Sequence, residues 1–244
     1  MVSLCALGSS AAARAQEASE AGTGADPYAP PDVARPTSGE ASFLSGRTLG
    51  SGDTLLAAWV GWPGFFVHAE LAPDSLVNVG IRLGVTYGSP VMGLVPGAGG
   101  EAAAVIRIHV FGEGDVDLSV RLEPSLQLGE GVLFGEAGAL GDDLGYSSRL
   151  DVGVVLGWRV VEHVTLYAGA GAAAGFSEVP SARNGIAAIG IFRGTLGIEA
   201  LMSRDTMLFA DVQAGGGVAP DRVGFAYYPD RAMLRVALGL AYLL

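Results

Sequence analysis

The chain contains no lysine and a single cysteine, Cys5. All 14 basic residues are arginine, and only 16% of the 244 residues are charged, against roughly 25% in a typical soluble domain. With a formal net charge of −11, the chain lacks the basic surface that nucleic-acid binding requires. The lone cysteine excludes a disulfide framework, a zinc-thiolate site and, once the leading peptide is removed, cysteine catalysis. No apolar run reaches the ~20 residues of a helical membrane span. The most helix-like stretch, Thr165 to Phe176, is short and rich in Gly and Ala. What the chain has in quantity is glycine, 38 residues, within a sequence that is 50% hydrophobic and has a mean hydropathy of +0.42. Glycine costs about 1 kcal/mol per helix position relative to alanine, so a helical domain is disfavoured.

Residues 1–15 read as a signal peptide, ending in the small-residue cleavage pattern Ala13-Arg14-Ala15. Cys5 follows Leu4 rather than a small residue, so it falls within that peptide and carries no lipid anchor. Residues 16–50 read as a flexible leader, with Pro27, Pro30, Pro31 and Pro36 and few large apolar side chains. The folded domain is expected over 51–244.

Within that domain, polarity alternates with a period of two. Asp117, Ser119, Arg121, Glu123, Ser125 and Gln127 interleave with Leu118, Val120, Leu122, Pro124, Leu126 and Leu128. Leu150, Val152, Val154, Leu156 and Trp158 stand against Arg149, Asp151 and Arg159. A strand separates such sets onto two faces, whereas a helix scatters them. The polar sets are mostly Gly, Ala, Ser and Thr with sparse charges. Such small residues suit the crowded interior of a narrow membrane barrel better than a solvated face. On this reading Leu122 faces lipid and Ser119 the lumen, so arginine should be better tolerated at 119.

The segments near 54–61, 65–72, 76–88, 101–111, 115–128, 149–160, 164–176, 186–200, 206–217 and 231–244 give ten strands. Connections after the even strands are short, and from the third strand on those after the odd strands are long. That alternation is the bacterial outer-membrane pattern. The expected fold is therefore all-β, an antiparallel up-and-down transmembrane β-barrel of about ten strands. An eight-stranded barrel is the alternative, because Gly61-Trp62-Pro63-Gly64 is an unusually tight turn for a long-loop side.

The C-terminal strand, Leu238-Gly239-Leu240-Ala241-Tyr242-Leu243-Leu244, resembles the terminal signal of bacterial outer-membrane β-barrel proteins. Gly239, Tyr242 and Leu244 occupy its glycine, aromatic and terminal apolar places, although Leu238 stands where a polar residue is usual. The resemblance implies a location in the bacterial outer membrane and insertion by the barrel-assembly machinery. It also implies a surround of phospholipid and lipopolysaccharide. It implies no activity.

The inward-facing charges are expected at Glu70, Arg82, Arg107, Arg121, Glu123, Asp151, Arg193, Glu199, Asp211 and Arg235, with His109 and Arg159 on the same face. Their mixed signs favour a structural ion-pair network over a single-sign selectivity ring. His68 and Glu70, two residues apart on one face, form the one candidate His–carboxylate pair, with no serine signature beside them. No catalytic residue, cofactor or metal site is assigned. The acidic loop of Glu130, Glu136, Asp142 and Asp143 matches no defined calcium loop. Trp59, Trp62, Trp158, Tyr87, Tyr167, Tyr227, Tyr228 and Tyr242 suggest an aromatic girdle. The expected protein is a monomer with a structural or narrow-pore role. A soluble periplasmic barrel with an apolar ligand inside, and a barrel-borne lipid-modifying hydrolase, are the alternatives.

Overall fold

The computed structural model describes residues 42–88, 98–129, 145–178, 186–218 and 232–244. The signal peptide, most of the leader, the acidic loop residues, Tyr227 and Tyr228 lie outside the described residues. Ten strands follow one another: β1 Thr54–Trp62, β2 Gly64–Leu71, β3 Val77–Thr86, β4 Gly99–Glu113, β5 Val116–Gly129, β6 Gly145–Val161, β7 Val164–Glu178, β8 Ile186–Leu201, β9 Thr206–Val218 and β10 Ala232–Leu243. Each pairs antiparallel with its sequence neighbours, and β1 pairs with β10 to close the barrel. The tight turn around Pro63 is a hairpin between β1 and β2, so the count is ten and eight is set aside. In the β4–β5 turn Gly114 takes φ +59°, a conformation that glycine adopts at no steric cost.

The apolar parity faces outward. Leu150, Val152, Val154, Leu156 and Trp158 are all exposed, as are Ile81, Leu83, Val85, Leu196, Leu238 and Leu240. The interleaved Arg149, Asp151, Arg82, Glu123 and Asp211 are buried inside the barrel. This is the inverse of a water-soluble barrel and the arrangement of a membrane one. Aromatic side chains mark both rims of the outer wall. Trp62, Tyr87, Tyr146 and Phe176 lie at the long-loop end, and Phe111, Trp158 and Tyr242 at the short-turn end. Two expected girdle members are corrected. Trp59 and Tyr167 point inward, where Trp59 joins an internal aromatic cluster and Tyr167 donates a hydrogen bond to Asp211.

Closure concentrates in the last strand. Tyr242 pairs with Leu56 on one side and Thr206 on the other, and the Leu244 amide donates to the Thr54 carbonyl at 2.8 Å. Deleting Tyr242–Leu244 removes these links and leaves the first residues of β1, Thr54 to Leu56, with an unpaired edge. The truncated chain is expected to be lost from the membrane fraction, and immunoblotting of that fraction checks it. Normal levels would contradict this role for the strand.

Candidate functional site in the barrel lumen

The short-turn end of the lumen is filled by the chain itself. Residues 42–50, expected to belong to a flexible leader, turn into the barrel and are almost entirely buried. The reason is their local composition. Phe43 and Leu49 pack with Leu55, Ala57, Ala72, Met207, Phe209 and Ala241 in a small apolar core. The Phe43 ring lies 5.0 Å from Phe209 and 5.1 Å from His68. Gly46 lies so close to β5 that an added Cβ would sit 2.2 Å from the Asp117 carbonyl oxygen, so only glycine fits.

Polar contacts fasten this segment to four strands and one turn. The Glu199 carboxylate accepts from Ser42 Oγ and from the backbone amides of Phe43 and Leu44. Arg107 Nη1 donates to the Phe43 carbonyl at 2.9 Å, and Asn78 Oδ1 accepts from the Leu49 amide at 3.3 Å. Arg47 pairs with Asp117 at 2.9 Å, and Thr48 Oγ1 donates to the Ser75 carbonyl at 2.7 Å. His109 Nδ1 lies 3.2 Å from the Gly46 carbonyl. The plug thus exchanges hydrogen bonds or ion pairs with β3, β4, β5 and β8, and packs against β1 and β9.

Beyond the plug lies the charge network. Arg107, wholly buried, donates to Glu70 Oε1 from Nη2 at 2.6 Å and from Nε at 3.1 Å. Glu70 also meets His68 Nε2 at 2.9 Å and accepts from Asn78 Nδ2. A second, longer ribbon crosses β3, β4, β5, β6 and β8. Arg82 bridges Glu101 and Glu123, each at 2.7 Å, and Arg121 lies 3.5 Å from Glu123. Arg149 reaches Glu101 at 3.3 Å and Asp151 at 3.2 Å, and Asp151 also meets Arg193. Gln127 donates to Glu101 and accepts from Arg149. Pairs buried to this degree roughly break even against apolar packing, but they penalise any register that separates them.

Of the ten charges placed in the lumen by parity, seven are ion-paired there: Glu70, Arg82, Arg107, Arg121, Glu123, Asp151 and Arg193. Three are inside but differently engaged. Glu199 holds the plug, Asp211 accepts from Tyr167 Oη at 3.0 Å and from Gln213 Nε2 at 2.9 Å, and the Arg235 guanidinium sits 5.5 Å from the centre of the Phe66 ring. Glu101 and Arg149 were missed as network members. Glu101 lies at the long-loop end of its strand, where an uncertain boundary hides parity, whereas parity puts Arg149 on the polar face of its strand but says nothing of its partners. The His68–Glu70 pair forms as its spacing allows, but Phe43 covers it and Arg107 engages its carboxylate. Among the described residues there is no His/Cys/Asp/Glu group able to hold a metal ion.

Between the ribbon and the β7–β10 wall is a cavity of about 80 Å³, floored by Phe43 and Leu44. Arg193, Asp211, Gln213 and Arg235 face it, and Trp62 and Gly64 line it at the long-loop end. The site can therefore hold polar atoms next to fixed charges, with segment 42–50 packed at its short-turn end.

No protein-family model and no curated protein matches the chain. Among solved structures it is similar to a loop-deletion form of OmpT, an outer membrane protein of Vibrio cholerae. That match has 12% identity over 74% of this chain and 53% of the other, with a TM-score of 0.35; the chain thus spans about half the length of that protein. It is also similar to the outer membrane protease OmpT of Escherichia coli, at 10% identity over 80% of this chain and 94% of the other, with a TM-score of 0.39. A third is Ail, the attachment invasion locus protein of Yersinia pestis, at 11% identity over 80% of this chain and 99% of the other, with a TM-score of 0.30. Likeness at this level assigns no role to the chain.

Proposed function

We propose that the chain is an integral barrel of the bacterial outer membrane, acting structurally, with its lumen closed by segment 42–50 and by ion pairs. The observation that carries this reading is the facing of the wall. A contiguous apolar exterior with rim aromatics has no place in water, while the charges it would need for solubility are turned inside. Its partners are then the phospholipid and lipopolysaccharide around that wall and, during assembly, the insertion machinery acting on β10. A closed wall with no unpaired strand edge supports a monomer. The same facing argues against the soluble barrel with an apolar interior. The burial of the His68–Glu70 pair beneath Phe43 argues against its use in lipid hydrolysis.

Reconstituted in planar bilayers, the unmodified protein is expected to conduct little current. Glu199→Ala removes the acceptor of three plug donors, a loss of about 1–3 kcal/mol for each buried group left unsatisfied. That variant is expected to show intermittent openings, read as single-channel current. Large, steady channels in the unmodified protein would overturn the closed reading and leave the barrel intact.

A further inference from the structure

Arg235 and Asp211 are the two lumen charges that share a cavity without an ion-pair partner among the described residues. Arg235 on β10 stands opposite Gln213 on β9, and Asp211 lies two residues along β9, opposite Ala237. Diagonal neighbours on one sheet face are about 7–8 Å apart, a span that Arg and Asp side chains ordinarily close. Here they do not close it. The guanidinium is drawn across β1 to the Phe66 ring, and the carboxylate is turned to Tyr167 and Gln213. Two opposite charges are thus held apart on the walls of one cavity, an arrangement that is costly unless a third group meets both.

Other polar atoms of the same cavity are also unsatisfied. His68 Nδ1, Arg121 Nε and Gln213 Oε1 are buried without a protein hydrogen-bond partner, and all three residues line the cavity. Because Gln213 Nε2 donates to Asp211, its Oε1 is a free acceptor beside the carboxylate. Arg121 Nε makes no hydrogen bond and lies 3.5 Å from Glu123 Oε1, so its charge is already paired. Among the described residues, the charges of the cavity that no ion pair takes up are therefore one cation, Arg235, and one carboxylate, Asp211, with the Gln213 Oε1 acceptor beside it. Arg82, Arg121, Glu123, Asp151 and Arg193 pair with one another. At about 80 Å³ the space suits a handful of non-hydrogen atoms.

We propose that this cavity is a binding site for a small zwitterion, its carboxylate directed to Arg235 and its ammonium to Asp211 and Gln213 Oε1. Trp62 and Gly64 line the cavity at its long-loop end, the end away from segment 42–50. The site does not depend on whether the barrel conducts.

Trp59 lines the cavity and stacks on Phe66 at 5.5 Å, so tryptophan emission reports occupancy. The full-length protein in detergent is titrated with glycine, β-alanine and 4-aminobutyrate, and with the half-ligands acetate and methylammonium. The titrations use emission and isothermal calorimetry. A saturable response to at least one zwitterion is expected, with acetate and methylammonium at least tenfold weaker. Arg235→Gln and Asp211→Asn should each weaken zwitterion binding tenfold or more while the folded band on unheated gels is kept. Thr195→Leu, which fills the cavity without removing a charge, should do the same and serves if a charge variant fails to fold. No saturable response to any zwitterion would overturn the proposal. So would acetate binding as tightly as the zwitterions and unchanged in Asp211→Asn.

Discussion

Leu196→Arg is expected to remove the protein from the membrane fraction. Leu196 is 66% exposed in the middle of β8, facing away from the lumen. An arginine facing lipid near the midplane costs roughly 2–4 kcal/mol, a large share of the ~5–15 kcal/mol that holds a domain together. Leu196→Phe keeps the apolar surface and should insert normally. Quantifying both variants in purified outer membranes checks the pair, and equal abundance would contradict a lipid-facing wall. Ser119 is no permissive control, although parity alone made it one. It faces the lumen as expected, but it is fully buried on the stretch of β5 where the plug's Gly46 packs, so an added arginine there has no room.

Glu70→Ala is expected to destabilise the barrel by about 3–5 kcal/mol, the usual loss when one partner of a buried pair is removed. Arg107 would keep its charge with no carboxylate within reach of its Nε and Nη2, and Asn78 and His68 would lose an acceptor. Because Arg107 also holds the Phe43 carbonyl, the plug should loosen with it. The double variant Glu70→Leu with Arg107→Met removes both charges and should recover much of the loss, since an apolar replacement of a buried pair is often neutral. Urea-dependent loss of the folded band on unheated gels measures all three. Additive losses in the double variant would show that the two side chains act independently.

The strands and their facing were legible because a barrel imposes one rule on every segment: alternate residues share a face. Leu150 to Trp158 and Asp117 to Gln127 obey it in structure, and in sequence with Val155 as an apolar residue on the inner face of the first. The plug was not legible. Phe43, Leu44 and Leu49 are too few to carry a period, and their meaning comes from Met207, Phe209 and Ala241 far along the chain. The partners of the lumen charges were equally out of reach. Parity places Asp211 and Arg235 inside, but it cannot tell that Tyr167 and Phe66 take them in opposite directions. Glu199 had the same parity signal as Glu123, yet one holds backbone amides and the other an arginine.

The central claim is that the apolar parity meets lipid. It is tested most directly by nitroxide labels placed singly at positions 150 to 156 of β6, with Cys5 replaced by serine, in native outer-membrane vesicles. Collision with dissolved oxygen, compared with a water-soluble nickel chelate, reads lipid contact at each site. The account predicts a period-two profile with oxygen maxima at Leu150, Val152, Val154 and Leu156, the exposed residues of that strand. Maxima at Asp151 and Val155, or chelate access equal at all seven positions, would contradict it.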